Sequence, residues 1–173
     1  MRLLRSLLLP FSVVLVIPFF LVTRFGPFRL IYVTLFPAIQ LILGPLCFLL
    51  GLLMLIVTIR LFAIVGKGTL APWDPTKKLV AQGIYRYTRN PMITGVAFMV
   101  FGEAVFFGNI TVLVWFVVII VVNTIYFKVS EEPGLVKRFG QEYVDYRREV
   151  PMWLPRLKPW ETGNKDRTPR KKS

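Results

Sequence analysis

Two adjacent carboxylates, Glu131 and Glu132, follow a long apolar stretch and precede Pro133. Lys and Arg normally dominate the inner edge of a membrane segment. An acidic pair there suits something cationic: an ammonium group, or an amine whose proton must be removed. Earlier in the chain, Arg89-Asn90-Pro91 opens another apolar stretch. Proline fits the first helical turn and asparagine the cap before it. The free N–H groups of such a helix start attract anions, and Arg89 beside them favours a carboxylate or phosphate. The same residues also read as an ordinary capped helix with interfacial side chains. Gly66 and Gly68 bracket Lys67 where a third apolar stretch ends. Glycines let a backbone approach a ligand closely, and equally they cap helices. Trp73, Tyr85 and Tyr87 lie between these motifs and offer aromatic faces to a cation.

The elements that must position these residues are membrane helices. Of the 173 residues, 55% are hydrophobic, and 22 Lys and Arg against 9 Asp and Glu leave a net charge of +13. An ordinary soluble domain is roughly 45–50% apolar even with glycine counted. Residues 6–23 and 30–59 carry no charge, and residues 91–127 carry only Glu103. About 20 helical residues cross a bilayer core. The first run fits one span. The second, interrupted by Pro37 and Gly44-Pro45, reads as one long kinked helix ending near Val65, with a re-entrant hairpin as the alternative. The third breaks at Gly108-Asn109, a turn signal, into spans at 91–107 and 110–127. The expected fold is therefore all-α, a multi-pass bundle of four spans, five if the hairpin forms. Glu103, inside a span, is expected to face the bundle interior and to line a pocket or pair with Arg60.

The basic residues flank the spans. This places both termini and the 66–90 loop in the cytoplasm, with Asn109 on the opposite side. It also accounts for the charge without nucleic acid; membrane lipids are the expected partners. Histidine is absent and Cys47 is the single cysteine, which excludes histidine-based or cysteine-cluster metal sites and intrachain disulfides. Beyond the last span, Leu135, Phe139, Tyr143 and Tyr146 recur at helical spacing. They predict one amphipathic helix over 133–148, either resting on the membrane or folded as a lid over the 66–90 loop. Residues 1–65 would form the first helices, 66–155 a core with loop, hairpin and cap, and 156–173 a basic, disordered tail.

G-x-G after a span, A-P-x-D-P, G-x-Y-R-x-x-R-N-P-M and E-E-P-x-L-x-x-x-F-G-x-x-Y-x-x-Y-x-x-x-V-P occur in that order. Together they resemble the isoprenylcysteine carboxyl methyltransferase family, over about half of the chain. The related phospholipid N-methyltransferases share the G-x-G and the later Glu-Glu pair. The resemblance implies an integral-membrane enzyme using S-adenosylmethionine on a lipophilic substrate that enters from the bilayer. It implies that Gly66, Gly68, Tyr87, Arg89, Asn90, Pro91, Glu131 and Glu132 hold the cofactor, with Arg89, Glu131 and Glu132 carrying the chemistry. Tyr143, Tyr146 and Arg147 would complete the cytosolic cap, and Glu103 would lie on the substrate side. The family's usual Arg-His-Pro is Arg89-Asn90-Pro91 here, and Ile93 replaces a usual tyrosine. The setting would be a prokaryotic inner membrane, or endoplasmic reticulum in a eukaryote. The rivals are a phospholipid N-methyltransferase, a non-catalytic protein with a degenerate cofactor site, and a nicotinamide-dependent membrane reductase, against which the Glu-Glu-Pro stretch argues.

Overall fold

The computed structural model describes residues 10–25, 37–61, 64, 79 and 81–161. Every described element is helical. Helix α1, Ser12–Phe25, begins with a π-helical turn at Ser12–Val16. Helix α2 is Pro37–Leu61, α3 is Pro91–Phe107 and α4 is Ile110–Tyr126. A π-helical turn, Phe127–Glu131, carries the α4 axis onward into α5, Glu132–Phe139, and α6 is Gln141–Glu149. Two helical stretches, Gln40–Leu61 and Ile110–Phe139, are long and apolar enough to cross a membrane. Ser12–Phe25 and Pro91–Phe107 are shorter apolar helices packed with them.

Helix α2 runs unbroken through Gly44 and Pro45. The 37–61 segment therefore does not form the re-entrant hairpin. Its partner is α3, and glycines set their separation. A Cβ added at Gly51 would stand 2.4 Å from the Gly95 carbonyl oxygen, and one at Gly102 would stand 2.6 Å from that of Gly44. Two glycines seven residues apart on each helix thus face their counterparts on an antiparallel neighbour, and the backbones touch. Val96, Met99, Val100 and Ala104 of α3 fill the centre with Leu55, Val112 and Ile119. The outer faces of α2 and α4 leave Leu41, Ile42, Leu53, Val114, Val121 and Ile125 exposed, as lipid-facing helices do.

The α3–α4 hairpin turns where expected. Gly108 takes φ +58°, a left-handed conformation that suits glycine, and the Asn109 side chain accepts N–H bonds from Thr111 and Val112. At the other wall, the Trp115 indole donates to the Val13 carbonyl at 3.1 Å and fastens α1 to α4.

The tail differs from expectation in two ways. The single helix over 133–148 is two helices, because Gly140 takes φ +56° and ψ −133° and breaks the path. The boundary after Pro155 also falls short. Residues 151–161 run back along Tyr85–Arg89, and Trp160 is buried. Residues 162–173 lie outside the described segments.

Candidate active site

The site forms where α3 begins and α4 ends. Gly83 adopts φ +54° and starts a short 3-10 turn, Gly83–Arg86, which leads through Tyr87 and Thr88 to Arg89. The 3-10 turn satisfies only part of this segment's backbone, and the buried groups left over must find partners. The chain after α6 supplies them. Arg89 donates its N–H to the Pro151 carbonyl at 2.9 Å, and the Tyr87 carbonyl accepts from Arg156 N–H at 3.0 Å. The Arg86 carbonyl accepts from Trp160 N–H at 2.9 Å, while the Arg86 Nε donates to the Trp160 carbonyl at 2.6 Å. The buried Thr88 hydroxyl donates to Met152 at 2.8 Å. Residues 150–160 are therefore a strap across 85–89.

Arg89 is the centre of the arrangement. Its Nε donates to the Val150 carbonyl at 2.8 Å and its Nη1 pairs with Glu132 Oε1. The guanidinium also stands 5.9 Å from the Phe127 ring centroid, a cation–π distance. Glu132 uses its second oxygen on Arg147 Nη1 at 3.2 Å. Its side chain and that of Arg89 are about nine-tenths buried, at 10% and 11% exposure, whereas Arg147 is 43% exposed. Burial of one carboxylate between two guanidiniums is tolerable because both oxygens are bonded.

The cap packs onto this cluster. Tyr143, Tyr146, Val150, Ala81 and Trp160 form a second buried core, with Leu135 and Phe139 against it. The Tyr146 hydroxyl donates to the Tyr85 carbonyl at 2.6 Å. Burial raises the Tyr146 pKa, and Arg89 opposes that shift only in part. Burial likewise raises Tyr143, with the nearby charge of Arg89 opposing it, and raises Tyr85 well above the ordinary value. The apolar stripe of the tail therefore packs on the end of the 66–90 loop, as the lid reading expects and a surface anchor would not.

Several expected site residues meet here and others do not. Arg89, Glu132, Arg147, Tyr143 and Tyr146 form one cluster, and Tyr87 contributes its carbonyl to the strap. Arg89 and Glu132 hold each other, so neither is a free ligand group. Glu131 is half-buried and has no ion pair among the described residues. Asn90 sits at the cap position of α3 and makes no capping hydrogen bond, and Pro91 is buried at the first turn. Glu103 lies away from this cluster: twelve residues along α3 from Pro91, it is roughly 18 Å distant along the axis. It is 9% exposed, its Oε2 lacks a hydrogen-bond partner, and no described ion pair joins it to Arg60. Gly66, Gly68 and Trp73 lie outside the described residues. Thr88, Met152 and Trp160 carry strap contacts that spacing did not point to; the Val150-Pro151 and Trp-Pro-rich composition after α6 was the available signal.

The phospholipid methyltransferase family model matches residues 39–142, more than half of the chain. The chain belongs to this family. The matched stretch runs from α2 through the start of α6, so it contains Arg89, Asn90, Glu131 and Glu132. The chain is also similar to the protein-S-isoprenylcysteine O-methyltransferase of Schizosaccharomyces pombe (strain 972 / ATCC 24843). Identity is 32% over 77 residues, covering 44% of this chain and 33% of that relative. The match thus spans a third of the relative's length. No solved structure matches the chain.

Proposed function

We propose that the protein is an S-adenosylmethionine-dependent membrane methyltransferase that modifies a lipophilic substrate reaching the site from the bilayer, of the isoprenylcysteine carboxyl type. The observation that carries this reading is the family match over residues 39–142, whose two polar motifs meet in one cluster at the end of the bundle. In the full topology, α1–α4 are four spans, with both termini and the 66–90 loop in the cytoplasm, as the flanking basic residues favour.

When bound, S-adenosylmethionine supplies an electrophilic methyl group on sulfur. The donor set fits it in part, with roles shifted between neighbours. Glu132 is already neutralised by two guanidiniums, so Glu131 is the carboxylate open to an ammonium. Arg147 uses Nη1 on Glu132 and keeps further N–H donors on a half-exposed side chain for a carboxylate. Asn90, with its side-chain amide uncommitted at the start of α3, can hydrogen-bond either partner but cannot titrate. Arg89 and Glu132 act as positioning residues: they join α3 to α5 and the strap. In-line displacement depends on alignment and exclusion of water. The lid of α5, α6 and strap serves both.

A carboxylate acceptor is already a nucleophile and needs no base. An amine must lose a proton, and of the adjacent carboxylates Glu131, which has no ion pair among the described residues, is the one that would take it. That feature and the family's description favour phospholipid N-methylation as the second reading. The test is methyl-labelled S-adenosylmethionine with the protein in lipid nanodiscs, offered a farnesylated cysteine and phosphatidylethanolamine separately. Alkali-labile label on the first acceptor supports the carboxyl reading, because an ester hydrolyses. Alkali-stable label on the second supports the amine reading. Binding without transfer to either would mark a silent cofactor site, and no binding by folded protein would refute the methyltransferase reading.

A further inference from the structure

We propose that the loop 152–158 is a membrane-docking surface whose occupant is the anionic headgroup and upper acyl region of the leaflet on the site's side. Leu154 and Leu157 are 79% and 98% exposed. Scattered exposed leucines are ordinary on protein surfaces. Here the position is what matters. The Trp153 indole donates to the Thr124 hydroxyl at 3.1 Å, and Thr124 lies in the last turn of α4. The loop is thereby fastened four residues before Lys128, where the uncharged part of the Ile110–Phe139 stretch, long and apolar enough to cross the bilayer, gives way to charge.

The loop cannot fold its leucines inward. Thr88 holds the Met152 carbonyl, Arg156 N–H is bonded to Tyr87, and Trp160 N–H to Arg86. Both leucines are displayed between fixed points. Tyr126 and Val129, further along the same helical stretch as Thr124, are 44% and 72% exposed. Lys158, next to Leu157 in the chain, and Lys128, one helical turn beyond Thr124, are exposed and make no ion pair among the described residues. Apolar side chains flanked by uncompensated lysines at membrane depth match an anionic interface, where each basic residue adds attraction. This surface is independent of the methyl-transfer reading.

The experiment uses the full chain, with Leu157→Cys on a Cys47→Ala background, spin-labelled and reconstituted in nanodiscs of mixed phosphatidylglycerol and phosphatidylcholine. Arg148→Cys, exposed on α6, serves as the water-facing reference. Collision of the label with oxygen, which concentrates in lipid, is compared with collision with a water-soluble nickel chelate. The oxygen-to-nickel accessibility ratio at position 157 should exceed that at 148 several-fold, and should fall in discs of phosphatidylcholine alone. Equal ratios at the two positions would overturn the proposal. So would protection of position 157 from both reagents with cross-linking between two chains, which would assign the surface to self-association. An unchanged ratio in uncharged discs would remove the anionic preference.

Discussion

Replacing Glu132 by Gln isolates the clamp that holds the site together. The change keeps size and shape, so lost charge dominates the outcome. Glu132 bonds Arg89 through one oxygen and Arg147 through the other, and both partners of the Arg89 pair are about nine-tenths buried. Removing one member of a buried pair costs about 3–5 kcal/mol, because the other is left uncompensated. Arg89 keeps the Val150 carbonyl and the Phe127 ring, which places the expected loss near the low end, about 3 kcal/mol. The half-exposed Arg147 contact adds at most about 1 kcal/mol. Since about 1.4 kcal/mol is tenfold, opening of the cap should become roughly a hundredfold more frequent. Hydrogen exchange at Arg89, Tyr146 and Val150 amides in nanodiscs reads this directly. The neighbouring Glu131→Gln, which breaks no ion pair among the described residues, should change cap protection by no more than about 0.5 kcal/mol. The Arg89→Met and Glu132→Gln double variant should cost less than the two single changes summed. Equal effects of the two Glu→Gln variants on cap exchange would refute the division of roles between positions 131 and 132.

Gly95→Ala places a methyl against the Gly51 carbonyl and Leu55 N, so thermal unfolding should show a loss of about 1–3 kcal/mol. Gly134→Ala, with nothing within 4 Å and a helical backbone, should be neutral or up to about 1 kcal/mol stabilising in the same scan. Tyr146→Phe removes the bond to Tyr85 and should weaken the cap by about 1 kcal/mol, measured by exchange. Because burial raises the folded Tyr146 and Tyr85 values above the ordinary tyrosine value of about 10, their contribution is whole below that pH. It declines as pH rises further, so a cap whose exchange protection is flat from neutral to well above that value would contradict the burial assignment. For topology, a cysteine at Asn109 should react only with reagent applied from the side opposite the termini; labelling from the terminal side would overturn the four-span arrangement.

Much of the helical framework is legible along the chain because it is decided locally. A run without charges must leave water, and a helix is the way a single segment satisfies its own backbone there. Gly108-Asn109 divides the third run because a left-handed residue and a side-chain cap are both local devices. The cap stripe at 135, 139, 143 and 146 is legible for the same reason, while the break at Gly140 is not: helical spacing continues across a residue whose backbone leaves the helix. Sequence order alone also identifies Arg89 and the Glu131-Glu132 pair as special. Which carboxylate is engaged is a tertiary matter. Arg89 and Glu132 are 43 residues apart, and Arg89 and Val150 are 61 apart. Adjacent helical residues point about 100° apart, so only the direction in which α4 continues into α5 turns Glu132 toward two guanidiniums and leaves Glu131 aside. The strap is the strongest example. In the sequence, 150–155 closes the core and 156–161 opens the basic tail, with no periodicity to direct either, yet backbone groups at 86–89 need partners. That need arises only once α3, α4 and α6 have brought the two segments side by side.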